Sequence, residues 1–498
     1  MESQPAGVKY KKADTTYFEQ RGLRRYAGVW SLWALGVGAV ISGHFSGWNL
    51  GLASGGWGGM AIATVLIAIM YLGLTFSIAE MGAALPHTGA AYSFARTSMG
   101  PWGGFVTGLC ENVEYVLTPA VIVFFIGSYL GSIFGTSASF QPVWWIVGYI
   151  VFVGLNIIGV ELSFKVTVIV CLMALAVLGV FWVSAIPNID FMTWAMNIGP
   201  DGAAIEGGNG PFLPMGLGGA LACLPFAVWL FLAIEQLPLA AEESIAPQRD
   251  MPKGIILGML TLIFSATMIL FLNPSVVGVG AAALGKSGEP LLDGFRAIYG
   301  DTAAKLLAFV AIIGLIASFH TIIFAQGRQI YSLSRAGYFP TFLSVTHHKG
   351  KTPHFAMIFG ACVGLAIMLF LFFTLEADKS AVAIGGTLLN MAVFGAMCSY
   401  VAQAISFIIL RKGHSYIERP YVSPFGIPGA VATIVIALVT VYFQLLDPAY
   451  RAGVYGVAAW FAIGIAYFAL VGRHRLILSP EEEFALEHQE KAATAVTV

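Results

Sequence analysis

Charge is what this chain has least of. Only 10% of its 498 residues are Asp, Glu, Lys or Arg, against roughly 25% in a soluble domain. A water-soluble enzyme or a nucleic-acid-binding protein of this length is therefore excluded, and no nucleic-acid partner is expected. Cysteine is scarce as well. The five cysteines (Cys110, Cys171, Cys223, Cys362, Cys398) all sit in apolar stretches. They have neither a disulfide framework nor metal-ligand spacing, so packing is their expected role. No HExxH, no Ser-His-Asp set and no Cys/His ligand pattern occurs. The sequence thus predicts no metal, no cofactor and no enzymatic activity. A cleavable signal peptide is also missing, because the first twenty residues are polar and the first apolar run is long enough to span.

What is abundant is apolar sequence, 58% of the chain even without its 58 glycines. Apolar runs of at least about 18 residues recur, each able to cross ~30 Å of hydrocarbon. Twelve spans are expected: 28–53, 57–84, 100–133, 143–160, 164–187, 217–241, 253–275, 303–335, 353–375, 381–411, 425–446 and 452–472. The fold class is an all-α membrane protein. A polar arm, 1–27, precedes the spans and a hydrophilic tail, 473–498, follows them. With the arm inside, 20 of the lysines and arginines fall on the inner side. The outer side holds 5, namely Lys286, Arg296, Lys305, Lys379 and Arg451. That asymmetry predicts cytoplasmic termini in a cell (inner) membrane. The longest outer connections, 188–216 and 276–302, have room for short surface helices.

Two spans carry interruptions. Residues 36–51, GVGAVISGHFSGWNLG, hold glycine at 36, 38, 43, 47 and 51, with Ser42, His44, Ser46 and Asn49 among them. Interior glycine costs a helix about 1 kcal/mol relative to alanine, so the cluster predicts a break. Residues 224–243, LPFAVWLFLAIEQLPLAAEE, place Pro225 and Pro238 on either side of Glu235, and proline removes a helix hydrogen bond. Broken backbone at membrane depth is tolerated where it is buried in protein or lines a cavity. Breaks in spans one and six, five helices apart, are the pattern of an inverted repeat of five plus five helices.

Four local motifs carry a family resemblance: GVGAVISG at the first break, AEMGAALPHTGAAYSFARTSMGPWGGFVTG at 79–108, LAAEESIAPQRDMPKGI at 239–255, and GRQIYSLSRAGYFP at 327–340. On these the chain resembles the amino acid–polyamine–organocation superfamily. ENVEYVLTPA at 111–120, FLAIE at 231–235 and GWNLG at 47–51 resemble its ethanolamine permease branch. The resemblance implies a ten-helix inverted-repeat core over 28–412, with helices eleven and twelve peripheral over 413–472. It also implies alternating access around a site between helices one, three, six, eight and ten. Two departures matter. The superfamily's amino acid carriers resemble G-A-x-I-G-[SA]-G at the first break, where free amides bind a substrate carboxylate. Here Ser42 and His44 replace small positions, although Ser42 and Gly43 still offer amides. The mid-helix-five lysine of many members is replaced by Ala174, and Lys165 lies earlier.

Ionisable groups at bilayer depth are costly, and each marks a functional candidate. Glu111 and Glu114 lie three apart on one helix face, Glu235 lies in the second break, and His44 in the first. No lysine or arginine sits at comparable depth in spans one, three or six, so the missing cation is read as the substrate. A protonated amine would take one carboxylate, exposed backbone carbonyls, and aromatic faces from among Phe45, Trp48, Tyr115, Phe226, Trp229 and Phe231. His44, whose unperturbed pKa is nearest neutrality, is the candidate to modulate a coupled proton. Glu80, Glu242, Glu243, Arg249 and Arg328 fall at inner span ends and are expected to form a gate or loop network. The expected function is secondary transport of a small organic amine, ethanolamine first, with an amino acid permease as the alternative. A channel would need a repeated pore lining, which is absent. The expected partners are the amine, a coupled proton as one option, and the bilayer, with the oligomeric state left open.

Overall fold

The computed structural model describes residues 7–13, 15–375 and 381–487. The expected basic positions Lys379 and Lys491 lie outside them. Among the described residues, ten helices are long and apolar enough to cross a membrane. They are crossings two (Gly51–Ala84), three (Ala90–Phe134), four (Gln141–Ile158), five (Val160–Ala185), seven (Pro247–Leu272), eight (Pro290–Arg335), nine (His354–Thr374), ten (Gly386–Gly413), eleven (Gly426–Leu446) and twelve (Arg451–Leu470). Crossings two, three and eight run longer than the apolar pattern predicts. Each begins with a short helical lead-in that bends at a glycine of positive φ: Gly56 (67°), Gly100 (77°) and Gly300 (77°). L side chains rarely adopt that conformation, so glycine permits the change of direction.

Crossings one and six are broken, as expected, which gives twelve in all. Crossing one runs Val29–Val40 and resumes at Ser42–Phe45. Ser46 is then extended and Gly47 turns at φ 98° into a short 3-10 turn, Trp48–Leu50. The break is later than the start of the glycine cluster suggests, because the helix continues through Gly36 and Gly38. These two glycines serve close packing instead. A Cβ on Gly36 would lie 2.5 Å from the Leu237 side chain, and one on Gly38 3.2 Å from the Thr321 hydroxyl. Crossing six runs Gly216–Ala222 and Leu224–Val228, unwinds over 229–233, and restarts as a 3-10 helix, Ile234–Glu243. Pro225 sits in the first turn of its helix, where no hydrogen bond is lost. The unwinding ends at Ala233, a non-glycine residue at φ 83°.

The packing has the symmetry of two inverted halves. Crossing five packs on eight as ten packs on three. Crossing one packs on seven as six packs on two, and three meets four as eight meets nine. The equivalent pairs one and six, two and seven, three and eight, and four and nine also touch one another. Crossing eleven lies against two and ten, and crossing twelve against three, ten and eleven. The long connections carry the expected short elements, a π-helical turn at Phe191–Ala195 and a helix at Ala281–Leu284.

The two chain ends meet. Strand β1, Tyr10–Lys11, pairs in parallel with strand β2, Leu476–Ile477. A helix that begins at residue 480 follows β2, where the sequence reads only as a hydrophilic tail. A hydrophilic segment needs buried partners to order it, and β1 with the helix ends supply them. The end of the bundle that carries this pair is called the arm face below.

Gly43 marks the closest approach of the two broken helices. A Cβ there would lie 2.2 Å from the Trp229 carbonyl oxygen, a backbone atom that cannot swing aside. The variant Gly43→Ala is expected to lose about 1–3 kcal/mol or more through overpacking. Gly154→Ala, inside the crossing-four helix with nothing within 4 Å of its added methyl, is expected to melt at or above the wild-type temperature, since alanine relieves the helix cost of glycine. Melting temperatures in detergent check both.

Candidate functional site

The two breaks satisfy each other's backbone. The carbonyl of Ala39, which a continuous helix would pair with the Gly43 amide, accepts instead from the Ser318 hydroxyl of crossing eight. Ser318 in turn accepts from Ser42 at 2.8 Å. Across the junction, Trp229 Nε1 donates to the Ser46 carbonyl at 3.0 Å. His44 Nε2 contacts the Leu230 carbonyl at 3.0 Å, and its Nδ1 lies 2.8 Å from Ser265 Oγ of crossing seven. A carbonyl can only accept, so Nε2 donates to Leu230, and Nδ1 shares a hydrogen bond with Ser265. His44 is fully buried and ties the two breaks together. The sequence offers it as a proton-coupling group, whereas its geometry is that of a bracket. The Phe45 carbonyl accepts from Tyr129 at 3.0 Å, and its ring covers Gly314, where a Cβ would come within 2.2 Å of the ring.

Beyond the unwound 229–233 stretch lies the acidic cluster. Glu111 and Glu114 project from crossing three and Glu235 from the 3-10 half of crossing six, each at most 1% exposed. The Glu114 and Glu235 carboxyls face one another, with Glu111 within Coulomb range of both. Glu114 Oε1 accepts from Tyr400 at 3.4 Å, and Tyr400 shares a 3.1 Å hydrogen bond with Tyr71. Tyr115 reaches Glu111 Oε1 at 3.5 Å. Four oxygens remain without a hydrogen-bond partner: Glu111 Oε2, Glu114 Oε2, and both of Glu235. Tyr71, Tyr115 and Tyr400 surround the acids, and the Phe231 ring stands 5.6 Å from that of Tyr71. No lysine or arginine pairs with them among the described residues. Tyr71 and Tyr400 were not singled out from the sequence. They lie in crossings two and ten, and a tyrosine in an apolar run carries no signal until the facing helix is known.

The expected inner network is present on the arm face, with one exception. Glu243 takes a bidentate contact from Arg328 at 2.7 and 3.2 Å, both side chains being buried. Glu242 pairs with Arg335 at 2.6 Å. Glu80 pairs with Arg411 at 2.6 Å and Arg419 at 3.1 Å, joining crossing two to the region between crossings ten and eleven. Arg249 stands apart. It is largely exposed and pairs only with its neighbour Asp250 at 2.7 Å, so it belongs to a surface turn. Two acids missed in the sequence complete the network. Glu481 meets Arg335 at 2.5 Å, and Glu482 meets Arg96 at 2.5 Å while accepting from Tyr10, Tyr92 and Tyr338. Both are fully buried. At the opposite face Ser46 donates to the Gly288 carbonyl at 3.2 Å and Asn49 to those of Leu284 and Ser287 at 2.6 and 2.8 Å, while the partly exposed Arg296 pairs with Glu289 and Asp293, each at 3.0 Å. Lys165 points out of the core to an exposed pair with Glu161, and Ala174 is buried.

Twelve crossings, two of them broken at mid-bundle beside buried acids, define a multi-pass membrane transporter. The chain belongs to the amino acid permease family, whose pattern matches residues 28–468, within the amino acid–polyamine–organocation superfamily. It is similar to an uncharacterised transporter of Rhizobium meliloti, 29% identical over 85% of this chain and 87% of that one. It is 25% identical to the branched-chain amino acid permease BcaP of Bacillus subtilis, over 91% and 94% of the two chains. It is 24% identical to the methylthioribose transporter of the same organism, over 92% and 96%.

The arm-face network sets two expectations. Removing one partner of a buried ion pair costs about 3–5 kcal/mol, so Glu482→Ala, which strands Arg96, is expected to lower thermal stability by an amount in that range. Glu80→Ala should cost less, because both of its arginines keep solvent contact.

Proposed function

We propose that this permease carries a small protonated amine, ethanolamine first, by alternating access between the two faces of the bundle. The observation that carries the proposal is the acidic cluster: three buried carboxyls, four unpartnered oxygens and no resident cation. Burying such groups costs several kcal/mol unless a cation or proton accompanies them. An ammonium ion has three donors and one charge. Its charge and donors complement the facing Glu114 and Glu235, and the rings of Tyr71, Tyr115, Tyr400 and Phe231 lie around them for cation–π contact. Between cargo, a proton shared by the facing Glu114 and Glu235 carboxyls would fill the same role, which makes the carboxyls, and not His44, the candidates for coupling. The face closed at Ser46 and Asn49 is the side from which the amine enters, and the arm face with its buried ion pairs is cytoplasmic, in keeping with the distribution of lysine and arginine. The ten-helix core over 28–412, with 413–472 peripheral, is part of the same proposal.

The second reading is an amino acid permease, which the relative named for branched-chain amino acids favours. An amino acid needs donors for its carboxylate at the first break. There Ser42 is already hydrogen-bonded to Ser318 and Gly43 lies against the Trp229 carbonyl, so the amine is preferred.

Isothermal calorimetry on the purified protein separates these readings. Ethanolamine is expected to bind, and Glu114→Gln and Glu235→Gln are each expected to weaken it at least tenfold, about 1.4 kcal/mol. Unchanged affinity in both variants overturns the proposal. Binding of alanine or a branched-chain amino acid with no response to ethanolamine would establish the second reading.

A further inference from the structure

A cavity of about 320 Å³ opens on the arm face where crossing four ends and crossing five begins. Three segments remote in sequence bring cations to it: Arg24 from the arm, Lys165 from crossing five, and Lys349 from the connection between crossings eight and nine. The connection is seated closely, since a Cβ on Gly350 would lie 2.9 Å from the Ile158 carbonyl and Thr352 donates to that of Ile157 at 2.8 Å. One acid, Glu161, shares the cavity and is already paired with Lys165 at 2.8 Å. Three cations against one acid leave the cavity with a net positive charge. Arg24 and Lys349 make no ion pair or hydrogen bond among the described residues. Crossing five begins here without a side-chain cap. The amides of residues 160 to 162 precede its first intrahelical bond, from Ser163 to Gly159, and add the partial positive charge of a helix start.

The rim of the same cavity is apolar. Ile158 is 62% and Leu162 41% exposed, and the outer surface continues along crossing five through Ile169 and Leu172 and along crossing four through Ile150. In a membrane protein that surface meets acyl chains. A cationic cradle at the head of an apolar track has the form of a phospholipid standing in the bilayer. We propose that this cavity is a binding site for the headgroup of an anionic phospholipid, which links the arm, the start of crossing five and the eight–nine connection through one phosphate. Basic pockets between helices at the membrane boundary are suited to such headgroups. A soluble phosphate would use the cations but leave the track unexplained.

Native mass spectrometry of the full chain in detergent, titrated with phosphatidylglycerol and phosphatidylcholine, tests the site. The protein is expected to retain one phosphatidylglycerol at least fivefold more strongly than phosphatidylcholine. The triple variant Arg24→Ala, Lys165→Ala, Lys349→Ala should lose that preference, while Lys286→Ala, Lys305→Ala, Arg451→Ala on the opposite face keeps it. Should the first triple fail to fold, Lys349→Glu alone, an exposed loop change, is expected to weaken retention several-fold. Equal retention of the two lipids, retention untouched in the arm-face variants, or displacement of the lipid by millimolar inorganic phosphate would each overturn the proposal. Ethanolamine calorimetry on the same variants is expected to be unaltered, which separates this site from the acidic cluster.

Discussion

A carboxyl group taken out of water must be given a cation, a proton or a full set of donors, and most of this architecture follows from where Glu111, Glu114 and Glu235 are given so little. Crossing three is continuous through this region, and its 3.6-residue period sets Glu111 and Glu114 on one face. An intact crossing six would leave Glu235 on a helix among apolar neighbours. Unwinding over 229–233 and the left-handed turn at Ala233 instead direct the following 3-10 segment toward Glu114. Tyrosines on crossings two, three and ten supply hydroxyls to the cluster. They are enough to orient the acids and too few to satisfy them.

Breaking two helices creates a second demand, because each break releases backbone groups that cannot go unpaired at this depth. The solution is mutual: Trp229 of one break binds the Ser46 carbonyl of the other, and His44 of the second binds the Leu230 carbonyl of the first. The breaks are also tied to the scaffold, at Ser318 of crossing eight, Ser265 of crossing seven and Tyr129 of crossing three. The two faces are closed by different chemistry. Hydrogen bonds to carbonyls at Ser46 and Asn49, worth about 0.5–1.5 kcal/mol each, and the partly exposed pairs of Arg296 with Glu289 and Asp293 close one face. Buried ion pairs of Arg96, Arg328 and Arg335 close the other, where parting charges in a dry site costs several kcal/mol.

The crossings, the two breaks and the deep acids were legible because each leaves a local signature: run length, glycine and proline clusters, and charge inside an apolar run. What stayed hidden depends on neighbours far along the chain. Gly36 and Gly38 look like part of a break, yet they admit Leu237 and Thr321, which only the fold brings near. Tyr71 and Tyr400 lie more than three hundred residues apart and acquire meaning by touching. Glu481 and Glu482 sit in a stretch with the composition of a loose tail, and nothing local reveals that Arg335 and Arg96 will bury them. Arg249 misled in the opposite direction, since its place in a family-like motif says nothing of its exposure.

The same physics bears on what drives transport. Ala174 is buried on crossing five, and Lys165 is turned away to an exposed pair. Among the described residues the acids have no lysine or arginine paired with them, so on the proposed function their charge is balanced by the cargo or by a proton. If the cargo is the cation, each inward step moves net positive charge through the membrane field, about 2.3 kcal/mol per charge for every 100 mV. If a proton takes its place on Glu114 or Glu235 for the return, that step carries the same charge back, the exchange is electroneutral and the proton gradient alone sets the direction. The choice between these regimes lies in whether the facing carboxyls can return empty, and two like charges in contact in a dry site oppose that strongly.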